Sequence, residues 1–471
     1  MPILRPCAGG CILHCRALPG VQSCTLQWCL WGILGYGMVF DAGSSHTSLF
    51  VYEWDSDKEN DTGVVSQTLS CDVQGPGISS YANNPPKAGD SLRECLDKAL
   101  KVVPAEKQRD VPAYLGATAG MRLLRYSTDQ ILAEIAKTMQ EYPVAFHGAR
   151  IITGEEEGAY GWITINYLLE SFTKVGGWSQ TSNIFGALDL GGASTQISFI
   201  PKGSVINWNE TSRFLLYGYN YNIYTHSYLC YGQNEMLKRL AKELILESSS
   251  STRVEHPCYP KDYNETISLS SFHTSPCTNA SDPRLSPSDR NVTLEGRGNA
   301  SGCLVAIRKL FNFSACGHSQ DCTFDGVYQP PISGQFFVRQ TLPPTCQAAR
   351  VPWALQCHAV PRATVTSPQQ NRENPERLPK YCANANYILT LLLDAYKFNE
   401  SSWNNIFFQI KAGSADVGWT LGYMLNLTNM IPAEAPGRLK GHAPSLWAAA
   451  VAFVALTLAL GLIALLLLLR V

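Results

Sequence analysis

Two short segments of this chain resemble each other, and they predict an α/β protein built from two related lobes. One reads MVFDAGSSHT at 38–47 and runs into SLFVY; the other reads GALDLGGAST at 186–195 and runs into QISFI. Each is an apolar strand, an Asp-x-Gly turn, small and hydroxyl residues, then an alternating strand: a β-hairpin signature. One such turn is common, but a second copy implies two lobes that each lend a tip to a shared cleft. A second observation is a pair of strand-to-helix junctions lying between the copies. A third is size: 471 residues with 45% apolar content supply ample core.

The tips suit an anion. Without bulky side chains, backbone N–H groups can converge on a phosphate, and hydroxyls add donors. Asp41 and Asp189, at the strand ends, can face a hydrated divalent cation across it. Between the hairpins, YLGATAGMRLL at 114–124 reads as a strand ending near Gly116 and then a helix start. Thr118 there either donates to phosphate or to metal-bound water, or caps the helix. Next, IITGEEEGAYGW at 151–162 reads as strand, turn and helix, with Thr153 as a cap and the acids favouring the helix N-terminus. One of those carboxylates, with Glu157 preferred to Glu156, is a candidate general base, and Gly158 would allow close approach. Later, ADVGWTLGYMLNLT at 415–428 reads as a loop and an apolar helix in which Trp419 packs in the core or walls the site.

Composition narrows the class. The net charge is −1, which leaves no basic excess for phosphate-neutralising nucleic-acid binding. The 16 cysteines show no CxxC pair between residues 50 and 400, so disulfides in an oxidising compartment are expected rather than zinc. Sequons begin at Asn60, Asn209, Asn264, Asn279, Asn291, Asn299, Asn312, Asn399 and Asn426, where chance gives roughly three. Residues 446–469 carry no charge, and ~36 Å of helix would cross a ~30 Å hydrocarbon layer. Residues 1–33 are an atypical Cys-containing segment without a clean leader or span. The expected layout is 34–180 for the first lobe, 181–432 for the second, a 433–445 linker and a 446–469 transmembrane helix.

Taken in order, DAGSSHT at 41–47, LGATAGMRLL at 115–124, ITGEEEGAYGW at 152–162, ALDLGGASTQ at 187–196 and WTLGYMLNLTNMIP at 419–432 resemble the five apyrase motifs. They mark the ectonucleoside triphosphate diphosphohydrolases, and the resemblance covers roughly 35–335 and 377–469. It implies two ribonuclease-H-like lobes of the actin/Hsp70/sugar-kinase type around a central cleft. It also implies hydrolysis of nucleoside tri- and diphosphates to monophosphates with Ca²⁺ or Mg²⁺, by an enzyme of the plasma membrane whose catalytic part is extracellular. By the same resemblance Asp41 and Asp189 hold the metal through water, with Thr118 and Trp419 lining its site. Ser44, Ser45, His46 and Thr47 grip one phosphate, and Gly191, Gly192 and Ala193 cradle another. Glu157 is the base, Ser194 and Gln196 position water, and Arg377 contacts the nucleobase. The implied disulfides are Cys71–Cys95, Cys230–Cys277, Cys258–Cys303 and Cys316–Cys322, with Cys346 or Cys357 as partner for Cys382. A homo-oligomer is compatible with the resemblance, and no nucleic-acid partner is expected.

The chain departs from the family after GQFF at 334–337. Where the family continues with an aromatic stretch that stacks on the nucleobase, this chain has a Pro-, Gln- and Arg-rich segment, 338–376, that reads as loop or disorder. Two alternatives therefore stand beside the enzyme: a membrane-anchored variant of the same fold with impaired turnover, and a sugar-kinase-like phosphotransferase.

Overall fold

Both of the similar segments fold as antiparallel hairpins, and each hairpin forms the middle of its own sheet. The computed structural model describes residues 12–18, 21–27, 34–55, 65–172, 184–203, 211–249, 252–273, 275–278, 285, 290–317, 321–339, 378–413, 415–427, 451–458 and 461. Strands β1 (Ile12–Leu18) and β2 (Val21–Gln27) pair within the N-terminal segment. The first sheet holds β3 (Leu34–Ala42), β4 (Thr47–Asp55), β5 (Ser66–Asp72), β6 (Pro112–Ala117) and β7 (Ala145–Ile151), in the order β5-β4-β3-β6-β7. Its first three strands are antiparallel neighbours, while β6 and β7 continue the sheet in parallel. Helices α1 (Pro86–Ser91), α2 (Arg93–Val102), α3 (Ala119–Arg122), α4 (Thr128–Gln140) and α5 (Gly154–Leu168) belong to this half of the chain.

The second sheet repeats the plan. It begins with β8 (Gly186–Leu190), β9 (Ser194–Phe199), β10 (Thr211–Leu216) and β11 (Tyr219–Leu229), followed by α6 (Gln233–Glu247). A three-stranded insert of β12 (Arg253–His256), β13 (Asn264–Ser268) and β14 (Asn291–Gly296) comes next, then α7 (Ala300–Arg308). Strand β15 (Phe336–Arg339), helices α8 (Tyr381–Leu389) and α9 (Glu400–Trp403), and β16 (Ile406–Phe408) complete it, in the order β10-β11-β9-β8-β15-β16. The pair β17 (Lys411–Ala412) and β18 (Ala415–Asp416) leads to α10 (Trp419–Leu427).

Both faces of the first sheet are covered, which is why MVF is a continuous apolar run rather than an alternating one. Met38, Phe40, Leu49 and Leu115 pack with Ile131 and Ile135 of α4. Val39, Phe50 and Tyr52 face the other way, into a core that also contains α5, α10, and Ala187 and Phe337 of the second sheet. Helices α5 and α10 thus lie between the sheets, each crossing toward the sheet it did not come from: α5 follows β7 yet packs on β8, β9 and β11, while α10 follows the second sheet yet packs on β3. Glycines permit the close approach. A Cβ on Gly422 would sit 2.2 Å from the Tyr160 carbonyl oxygen, and one on Gly158 would sit 2.7 Å from Ser198 Oγ.

The four disulfides form as expected: Cys71–Cys95, Cys230–Cys277, Cys258–Cys303 and Cys316–Cys322. Cys346 and Cys357 lie outside the described residues. One reading needs correction. The segment 338–376 does not begin as loop, because Val338 and Arg339 end β15, with Arg339 paired in register to Asp189. Strand partners on both sides impose this where composition alone suggested none; residues 340–376 lie outside the described residues. Among the described residues no helix is long and apolar enough to cross a membrane. Of the expected span, residues 451–458 and 461 are described, all helical and exposed.

Candidate active site

The two hairpins close with the same register. Asp41 pairs with Ser48 and Ala42 with Thr47; Asp189 pairs with Gln196 and Leu190 with Thr195. Each Asp therefore sits one rung below a four-residue tip: Gly43 to His46 in one copy, Gly191 to Ser194 in the other. The tips meet, since a Cβ on Gly192 would lie 2.6 Å from Ser44 Oγ. The second tip is pinned from behind by the start of α6, where the Gln233 N–H donates to the Gly191 carbonyl and the Asn234 N–H to that of Gly192 (2.9 and 2.8 Å). Ser45 and His46 are exposed and bonded to each other, Oγ to Nδ1 at 3.0 Å. Thr47 is fully buried and its Oγ1 has no partner. Thr118 begins α3 but makes no side-chain cap bond, so its hydroxyl is not committed to the helix.

Asp41 and Asp189 converge on one point. A single guanidinium nitrogen of Arg339 lies 3.8 Å from Asp41 Oδ2 and 3.5 Å from Asp189 Oδ2. Burial pushes the Asp41 carboxyl above its ordinary range; Arg339 and His46 pull it back, and Asp189 adds to the rise. Burial also opposes the Arg339 charge, but Asp189, Asp41 and Glu157 outweigh it and hold its pKa above the usual guanidinium value. Trp419 is buried beside this cluster, its ring filling the space a Cβ on Gly116 would take, 2.2 Å away. Its indole N–H faces the Asp41 carboxylate and helps to hold that group's charge.

The three acids at the start of α5 separate cleanly. Glu156 completes a capping box, accepting from the Thr153 N–H at 2.9 Å while Thr153 Oγ1 accepts from its own N–H. Burial works against its charge, yet a two-pronged pair with Arg150 and the Thr153 bond hold its pKa below the usual carboxylate value. Glu157, next in line, turns inward. It is 7% exposed and accepts from Arg122 Nη2 at 2.7 Å and from Gln196 Nε2 at 3.1 Å. Burial raises its pKa to about 7, with Arg122 opposing and Asp189 reinforcing the rise. That value suits a base working near neutrality. Ser194 Oγ accepts from both Arg122 and Gln196 (3.1 and 2.8 Å), and the Gln196 amide nitrogen also reaches Ser227 Oγ at 3.0 Å. The other end of that amide, Oε1, is buried without a partner. A small, mainly apolar hollow is lined by Asp189, Gln196 and Arg339 together with Ile165, Leu188 and Val417.

Asp41, Asp189, Glu157, Ser194, Gln196, Thr47, Trp419 and both tips are thus brought together, whereas Arg377 lies outside the described residues. Three participants escaped the sequence reading: Arg122, Ser227 and Arg339. Arg122 stands inside LGATAGMRLL, four residues after Thr118, a spacing that puts both on one face of a helical turn. Ser227 reaches the site across the β9–β11 pair, where Ser227 is opposite Gln196, and only knowledge of that register would have found it. Carboxylates are the right donors for a hard divalent cation. Yet among the described residues no three His, Cys, Asp or Glu side chains gather to hold a metal, and the seat between Asp41 and Asp189 is filled by Arg339. As arranged, these residues do not accept a cation.

The model of the GDA1/CD39 (nucleoside phosphatase) family matches residues 34–341 and 356–440, most of the chain. The chain belongs to that family. Among similar members is ectonucleoside triphosphate diphosphohydrolase 8 of Gallus gallus, 51% identical over 454 residues, with 92% of this chain and 90% of that protein covered. The Homo sapiens protein of the same name is 45% identical over 454 residues, covering 90% and 88%. A crystal structure of nucleoside triphosphate hydrolases from Neospora caninum aligns with a TM-score of 0.57 at 14% identity, covering 84% of this chain and 93% of that one. That likeness shows the two-lobe α/β fold in another molecule. Nucleotidases of the GDA1/CD39 family depend on a divalent cation, which makes the position of Arg339 notable.

Proposed function

We propose that this chain hydrolyses nucleoside tri- and diphosphates to monophosphates by attack of water on the terminal phosphate. The observation that carries the reading is Glu157: a buried carboxylate with a pKa near 7, bonded to a glutamine whose amide oxygen is buried without a partner. Water held at Gln196 Oε1 would satisfy that orphan and lie beside the base. Glu157 takes the proton as the water oxygen bonds to phosphorus; the bridging P–O bond breaks and its electrons leave with the shortened nucleotide. Arg122 fixes the Glu157 carboxylate, and Ser194 keeps Gln196 in orientation. The two tips hold the phosphates through backbone N–H groups and the hydroxyls of Ser44 and Thr47, and Trp419 walls the far side.

An extracellular, membrane-anchored setting accompanies this reading. The sequon asparagines among the described residues (Asn264, Asn291, Asn299, Asn312, Asn399 and Asn426) are all exposed, so each is available for glycosylation. The four disulfides suit an oxidising compartment. Phe453, Leu456 and Leu458 point to solvent, as expected of a helix meant for lipid rather than for a core. The seat of Arg339 favours a second reading, a chain that binds nucleotide with little turnover. Phosphate release from ATP and ADP by the purified full chain, in ¹⁸O-labelled water, decides between them. Labelled phosphate that disappears in Glu157→Gln supports hydrolysis. Nucleotide binding without phosphate release favours the second reading, and phosphate passing to an added sugar instead of water overturns both.

A further inference from the structure

The internal repeat exposes a substitution of parts. In the first sheet β3 carries Asp41, and its parallel neighbour β6 places Gly116 opposite. In the second sheet β8 carries Asp189, and its parallel neighbour β15 places Arg339 opposite. Gly116 and Arg339 are equivalent positions in the two halves. The room left by Gly116 is taken by the Trp419 ring; the room on the other side is taken by the Arg339 side chain itself. That side chain is seated rather than loose. A Cβ on Gly418 would lie 3.2 Å from its Cζ, so the missing side chain of Gly418 makes the floor on which the guanidinium rests. Its sides are the carboxylates of Asp41 and Asp189. Glu157 and Arg122 face the cluster from α5 and α3, and His46 from the first tip.

We infer that Arg339 is a built-in cation, occupying the place between Asp41 and Asp189 that a divalent metal with its waters would take, so that metal binds only by displacing it. The inference deepens the functional reading above and rests on its assignment of the two aspartates. The reasons are electrostatic and steric. A guanidinium already neutralises the two carboxylates, which lowers the gain from a second cation. A metal arriving while Arg339 stays would meet like charge at close range in a poorly solvated site. The planar group also blocks the space in which coordinated water would lie.

Calcium binding to the full chain, followed by isothermal titration calorimetry without nucleotide, tests it. Arg339→Gln, which removes the charge and keeps most of the volume, should tighten Ca²⁺ at least tenfold over wild type; Arg339→Lys should leave binding weak. Equal affinity in wild type and the Gln variant overturns the inference, as does a Lys variant that binds as tightly as Gln. Should the Gln variant not fold, the unaltered protein still decides. Saturating Ca²⁺ should speed modification of Arg339 by phenylglyoxal, read by mass spectrometry, and an unchanged rate overturns the displacement. Absence of Ca²⁺ binding in every variant removes the aspartates' assignment and this inference together. Tighter binding in the Gln variant of a chain that releases no phosphate keeps the inference and removes the hydrolytic reading.

Discussion

The two halves of the molecule use one plan with opposite fillings. Each offers an Asp one rung below a four-residue tip, a parallel strand beside it, and a helix that crosses to the other half. The helix leaving the first sheet delivers a carboxylate, Glu157, near its N-terminus; the helix leaving the second delivers an aromatic wall, Trp419, at its own. Beside Asp41 the neighbouring strand has Gly116; beside Asp189 it has Arg339. Repetition therefore sets where groups stand, and the differences between the copies set what chemistry they perform.

The largest expected effect breaks the asymmetry of the crossing helices. Glu157→Gln should cut turnover by roughly 10²–10⁴ while leaving nucleotide affinity nearly intact, measured as kcat against a binding isotherm. Equal loss in Glu156→Gln, with none in Glu157→Gln, would reverse the roles given to the two acids. The pH profile comes next. A base with a pKa near 7 is protonated below it, so kcat/KM should fall about tenfold per pH unit on the acid side. Arg122→Gln removes the cation that opposes the rise, so the same limb should move to higher pH; an unmoved limb would place Glu157 outside the titration. A smaller effect tests the parallel strands. Gly116→Val would drive a side chain into the Trp419 ring and should cost about 1–3 kcal/mol in chemical unfolding. Smallest is Glu156→Gln, which weakens a capping box and should cost about 1 kcal/mol with activity retained.

The hairpins were legible in the sequence because their tips demand small residues, and the helix cap at Thr153 because its partner lies three residues on. The choice of Glu157 over Glu156 was not fixed by adjacency; it depends on Arg150 and Thr153 claiming one acid while Gln196 and Arg122 claim the other. Arg122 sat within a recognised segment but had no visible task until its long side chain met a group 35 residues away. Arg339 was hidden for a different reason. It falls where composition turns to Pro, Gln and Arg, and only pairing with β8 reveals it as the last rung of a strand.

The crossing of α5 and α10 has a consequence for how the molecule comes into being. Trp419 and its helix are synthesised after every strand of both sheets, so the inner surface offered by Val39 and Tyr52 must wait, uncovered, for the last part of the globular chain to emerge. Neither half can finish ahead of the other. A nascent chain halted before residue 419 would carry both Asp-bearing tips and the acid, yet lack the wedge that joins them, and would present a sticky flank to chaperones instead of a reaction centre.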